Sequence, residues 1–203
     1  MKELIKKRHL ILIAIYMGLF GFLEIVPPKE VHLIHCALDD MIPHMAVFIY
    51  PYVSWFPYIV VCAYLAIKNL DDRQFKKAVL VLTTGMNIFL FISFVWPTGL
   101  NLREGIVYDL HTLSGNLLKF VQTVDTPKSV FPSMHVYVTL VLQYTLEMQK
   151  KLVPSWGIWV GRVLAVLIVL STMFTKQHSV LDVSAAIVMF AVLVVVVEKI
   201  VKK

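Results

Sequence analysis

Apolar residues in this chain come in long runs, not at the three- and four-residue spacing of a helix half sunk in a soluble core. Runs of this length predict helices that cross a membrane. Six are read, near 9–27, 45–67, 78–96, 133–149, 155–175 and 179–198. The first ends at Pro27-Pro28 and the third at Trp96-Pro97, where a proline ring removes the next backbone donor. The second carries Pro51 and Pro57 and is expected to kink. The fourth is short, with Pro132 well placed at its start. The first run lacks a small-residue cleavage site and stays apolar to Val26, so it reads as a retained span and not as a signal peptide. The expected fold class is all-α, an integral membrane bundle of about six transmembrane helices. It forms one domain over 1–203, with 78–198 as the core that carries the chemistry-bearing residues. The stretch 97–132 reads as a loop, and no internal repeat is visible.

Composition agrees with the pattern. Of 203 residues 59% are hydrophobic and 16% charged, and the mean hydropathy is +0.77; a soluble domain carries about a quarter charged residues. The net charge of +6 needs no nucleic-acid partner, because loop cations orient membrane spans. Thirteen Lys and Arg fall at the N-terminus, in 68–77, at Lys150 and Lys151 and at the C-terminus, against five at Lys29, Arg103, Lys119, Lys128 and Lys176. Both termini are therefore expected in the cytoplasm, and 97–132, His135 and His178 on the extracytoplasmic face. Arg162, inside the fifth span, is expected to snorkel toward the cytoplasm. Cys36 in a polar loop and Cys62 in an apolar run lie at different depths and are not expected to pair.

Chemistry gathers where loops enter spans. His178 and Asp182 are four residues apart, so on a helix they share one face, where a carboxylate can hold one ring proton and leave the other nitrogen free. His135 closes Phe131-Pro132-Ser133-Met134-His135 at the same expected membrane face. These strings resemble the type-2 phosphatidic acid phosphatase superfamily of membrane lipid phosphatases and phosphotransferases. Its second signature, P-S-G-H, is met at Pro132-Ser133-Met134-His135 in three positions of four. Its third, S-R-x5-H-x3-D, keeps every spacing from Ser171-Thr172 through His178 to Asp182. Its first, K-x6-R-P, is represented only by Arg103. Thr172 stands where the third signature has arginine and Met134 where the second has glycine. Phe131–His135 and Ser171-Thr172-Met173-Phe174 are similar to the inositol phosphorylceramide synthase branch, whose members transfer a headgroup.

The resemblance implies that His178 is a nucleophile forming a phosphohistidine, Asp182 orients it, and His135 protonates the leaving lipid oxygen. Arg103, Ser133 and Lys176 are the expected phosphate contacts, with Lys128 as competitor for the last role. No cofactor or metal is implied, and the partners are a lipid phosphate and membrane lipids. Likeness to compact bacterial members implies a bacterial plasma membrane. The candidate substrates are phosphatidate, phosphatidylglycerol phosphate and isoprenoid diphosphate. Headgroup transfer onto a lipid alcohol is one alternative, and a non-catalytic lipid-binding or transport protein that has lost its clamp is another.

Each residue also has an ordinary reading. Ser133 and Ser171 suit helix caps or backbone bonds, Arg103 an interface anchor, and Lys176 a snorkelling lysine. Three histidines and two carboxylates between His32 and His44 fit no zinc spacing, so that segment reads as a polar outer loop in which Asp39 or Asp40 caps a short helix. Tyr50, Tyr52, Trp55, Trp96 and Trp156 read as an interfacial belt.

Overall fold

The computed structural model describes residue 16 and residues 18–22 and 30–201. Eight α-helices and one two-residue strand pair are found among them. The expected span 9–27 lies almost wholly outside the described residues; residues 16 and 18–22 are helical, and Phe20 rests on Phe89 at 5.9 Å.

β1 (His32–Leu33) leads to α1 (Ala37–Met41). The second span then runs through a 3-10 turn, Ala46–Phe48, α2 (Ile49–Val53) and α3 (Trp55–Asn69). The break at Ser54 is where the kink was expected. Pro57 has no N–H for the Val53 carbonyl, and Ser54 Oγ turns back onto Pro51 O at 2.6 Å.

α4 (Asp72–Val95) opens six residues before the apolar run, because Asp71 caps it: Gln74 N–H donates to Asp71 Oδ1 at 2.7 Å and Asp71 N–H to Gln74 Oε1 at 3.2 Å. β2 (Thr98–Gly99) pairs in parallel with β1, His32 opposite Thr98. The 97–132 stretch is not only loop. It holds α5 (Leu113–Val124), whose Leu118 is buried against Ile49 and Tyr52. Twelve residues apolar on one face are too few and too polar to register as a span.

α6 (Met134–Glu147), α7 (Ser155–Phe174) and α8 (Val180–Ile200) complete the bundle. Pro132 precedes α6 by two positions; the residue that caps it is Ser133, whose Oγ accepts from Val136 N–H at 3.3 Å. Four stretches among the described residues are long and apolar enough to cross a membrane: Ala46–Asn69, Asp72–Val95, Ser155–Phe174 and Val180–Ile200. α6 has 14 residues, or roughly 21 Å at 1.5 Å per residue, and is enclosed by α3, α4, α7 and α8.

This all-α membrane bundle is packed around α6. Val136, Tyr137 and Val141 meet Val81 of α4 and Val183 and Ala186 of α8. The Tyr137 hydroxyl reaches the Val81 carbonyl at 2.5 Å, and its ring lies where a Cβ at Gly85 would stand. The bundle end away from His135 is tied by charge. Lys77 pairs with Glu198 at 2.5 Å, and Tyr144 donates to Glu198 at 2.6 Å. Arg162 does not extend alone into the interface: its guanidinium forks onto Glu147 at 2.6 and 3.0 Å and stacks on Trp159.

Candidate active site

The turn between α7 and α8 is short and almost fully hydrogen-bonded. The Thr172 carbonyl accepts from Gln177 and His178 N–H at 2.9 and 3.0 Å, and Thr172 Oγ1 donates to Val169 O at 2.8 Å. Thr172 is buried and builds the turn. Ser171 also bonds helix backbone, to Ile168 O at 2.6 Å. Lys176 turns the chain with φ +57°, a left-handed conformation unusual outside glycine. Its ammonium secures that turn by donating to Asp39 O at 2.7 Å and Ile42 O at 2.6 Å. Those bonds direct Lys176 away from the cavity described below.

Ser179 caps α8, and Asp182 at its first turn completes a capping box, accepting from Ser179 N–H at 2.9 Å. The same Asp182 oxygen faces His178 Nδ1 at 3.3 Å, so the fully buried carboxylate holds the Nδ1 proton and His178 Nε2 is left free. Ser133 is itself buried, and its N–H donates to Asp182 O at 3.1 Å. It joins the two signature loops as a cap and backbone anchor, and its hydroxyl does not line the cavity.

His135, one residue into α6, brings its ring within 5.7 Å of His178, centroid to centroid. Tyr52 and Trp55 pack on it at 4.9 and 4.5 Å. The sequence reading assigned both aromatics to an interfacial belt. The break at Ser54 and the α5 contact instead carry Tyr52, 2% exposed, into the bundle. The Tyr52 hydroxyl donates to Asp125 Oδ2 at 2.8 Å, so its oxygen accepts from His135 Nε2 at 3.1 Å. That arrangement leaves His135 Nδ1 to take or give a further proton.

Both imidazoles line a cavity of about 440 Å³. Its lining is apolar at Ile59, Leu82, Met86 and Phe89 and polar at Arg103, Asp125, Lys128 and Gln177. Arg103 is held by Asp125 O at 2.5 Å, Lys176 O at 3.4 Å and Gln177 Oε1. Burial lowers its pKa, and Asp125, Tyr52 and Tyr108 oppose that shift. Arg103, His135 and His178 thus meet, joined by Lys128 and not by Lys176. Another cavity, about 600 Å³ between α3 and α7, is lined by no histidine or carboxylate.

The loop before the second span reaches this site from outside. Asp39, 2% exposed, accepts from Ser179 Oγ at 2.6 Å, Val180 N–H at 2.8 Å and Cys36 N–H at 2.8 Å. It caps both α1 and α8, the helix that carries Asp182 and begins just after His178. Burial alone would raise its pKa, but those three hydrogen bonds outweigh it and hold the carboxyl below its usual value. The loop histidines diverge: His32 stacks near Trp96, and His35 pairs with Asp40 at 2.9 Å.

A family model described as the PAP2 superfamily matches residues 34–196, most of the chain, including His135, His178, Asp182 and Arg103. The chain belongs to the PAP2 superfamily. No curated protein and no solved structure matches it significantly. PAP2 membership supports a membrane phosphatase or phosphotransferase acting on lipid phosphate. In this PAP2 chain the residues missed from sequence were Tyr52, Asp125 and Gln177. Only Gln177, next to His178, carried a signal of position; the other two are brought in by folding from far along the chain.

Proposed function

We propose that the protein hydrolyses a phosphate monoester or diphosphate on a membrane lipid through a phosphohistidine at His178. One observation carries this reading: an imidazole oriented by a buried carboxylate lies 5.7 Å, ring to ring, from a second imidazole in a cavity with apolar walls. His178 Nε2 attacks phosphorus while the bond to the lipid oxygen breaks, and Asp182 keeps the Nδ1 proton in place. His135 enters this step as the imidazolium, its Nε2 proton on Tyr52, and gives its Nδ1 proton to the departing oxygen, releasing a lipid alcohol, or a lipid monophosphate when the substrate is a diphosphate. His135 then takes a proton from water, the water oxygen attacks phosphorus, and the P–N bond breaks to return His178 and inorganic phosphate. Arg103 and Lys128 stabilise charge on the phosphoryl oxygens. No step draws on a metal ion. Phosphatidate, phosphatidylglycerol phosphate and isoprenoid diphosphate are the candidate substrates, and the apolar wall suits any of their chains.

The site is proposed to open to the extracytoplasmic face, because the basic loops gather at the other end of the bundle, where Lys77 of α4 meets Glu198 of α8. The test is phosphate release from a panel of these lipids by purified protein, with a chelator present and His178→Ala alongside. Release that survives chelation and disappears in the variant is expected. Near-normal turnover by His178→Ala would overturn the mechanism. Product formed only after a diacylglycerol or ceramide is added would move the reading to headgroup transfer, the reaction of the inositol phosphorylceramide synthase branch.

A further inference from the structure

The third signature lacks its arginine, and Thr172 in that place faces inward to bond its own helix. A phosphoryl group against His178 still needs donors around its equatorial oxygens. Gln177 stands one residue before His178, lines the same cavity and is 1% exposed. Its amide orientation follows from its neighbour. A guanidinium has only donors, so the side chain must turn Oε1 toward Arg103 Nη2. Nε2 is then a buried donor without a partner among the described residues. A buried donor left without a partner is costly, and such groups in folded proteins call for an explanation, a bound ligand among them.

We propose that Gln177 Nε2 donates to a phosphoryl oxygen of the substrate bound at His178, serving where the third-signature arginine would. Resting on the reading above, this makes Gln177 a substrate-binding residue of the reaction. The Arg103–Gln177 contact then does two things. It fixes the amide with its donor toward phosphate, and it supplies cation and neutral donor from adjacent points on one wall. The site thereby holds its anion with one positive charge fewer than the full signature provides.

Two variants separate this role from a merely structural one. Gln177→Glu keeps an oxygen for Arg103 but turns an acceptor toward phosphate, whereas Gln177→Met keeps the bulk and loses both functions. The readouts are kcat/KM on the best lipid phosphate and affinity for orthovanadate, a five-coordinate phosphoryl mimic that binds without turnover, each beside the Tm. Gln177→Glu is expected to lose about a hundredfold or more in kcat/KM and to weaken vanadate at least as much as Gln177→Met, with Tm unchanged. A role confined to positioning Arg103 gives the opposite order: Gln177→Glu near wild type and Gln177→Met impaired. That order, or wild-type behaviour in both, overturns the proposal. If Gln177→Glu does not fold, wild-type vanadate affinity in Gln177→Met still overturns the proposal. Wild-type protein that neither binds vanadate nor turns over any lipid phosphate overturns the hydrolase reading as well, whereas activity unaffected by both variants overturns this inference only.

Discussion

The Tyr52 hydroxyl has one proton, and it goes to Asp125. Its oxygen is therefore left to accept from His135, which fixes which imidazole nitrogen carries hydrogen. Tyr52→Phe removes that acceptor while keeping the ring that packs on His135. Turnover is expected to fall about ten- to a hundredfold, less than the roughly 10²–10⁴-fold that general acid–base catalysis supplies in full, because His135 itself remains. Because His135 loses its fixed tautomer and the fold loses little, Tm should stay within a few degrees; kinetics and a thermal melt on the same preparation check both. Unchanged turnover would remove Tyr52 and Asp125 from the mechanism. His178 and Asp182 were legible in the sequence because both lie within one helical turn, where spacing alone decides proximity. Tyr52 and Asp125 were not, because 73 residues separate the two partners of their hydrogen bond and no periodicity relates them.

Among the elements, α8 depends on a residue outside it. Asp39 supplies acceptors to Ser179 Oγ and Val180 N–H at the start of the helix that bears Asp182. Asp39→Asn sets an amide donor among those donors and is expected to cost about 1–3 kcal/mol, read as a lower Tm. The pH dependence has a definite sign. The carboxyl titrates lower when folded than its ordinary 3.8, so its contribution is present above that value and lost as pH falls through the folded pKa. Wild-type stability should fall off in that acid range, and the Asp39→Asn variant should show a shallower fall, measured by melts from about pH 5 down to about pH 2, so that both the ordinary value and the lower folded one are crossed. α4 gives a second test at this scale. A Cβ at Gly85 would overlap the Tyr137 ring, so Gly85→Ala must separate α4 from α6 or displace Tyr137 from Val81. The expected loss is about 1–3 kcal/mol; a Tm equal to wild type would show that this seam gives way freely.

For the whole molecule the question is which end faces which compartment. If the site opens outward, an impermeant maleimide applied to intact cells should label Cys36, half-buried in the loop beside the site, and leave Cys62, buried in the bundle, unmodified. Lys150→Cys, at the far end of α6, should react only after the membrane is opened. The reverse pattern would invert the proposed topology. The sequence by itself determined the membrane class and the positions of five of the six expected helices, four of them long and apolar enough to cross, because burying backbone in lipid demands long helical apolar runs whatever their partners. It also determined the His178–Asp182 pair and the second histidine, because those signals are local. Tertiary structure alone decided that α5 folds over α2, that α6 is enclosed, and that Asp39 caps α8. It alone turned Lys176 toward Asp39 and Ile42 and brought Tyr52 and Asp125 to His135. Each of these depends on where a charged or aromatic side chain finds partners far away in sequence, and a buried donor or acceptor is satisfied only by the packed neighbours it meets.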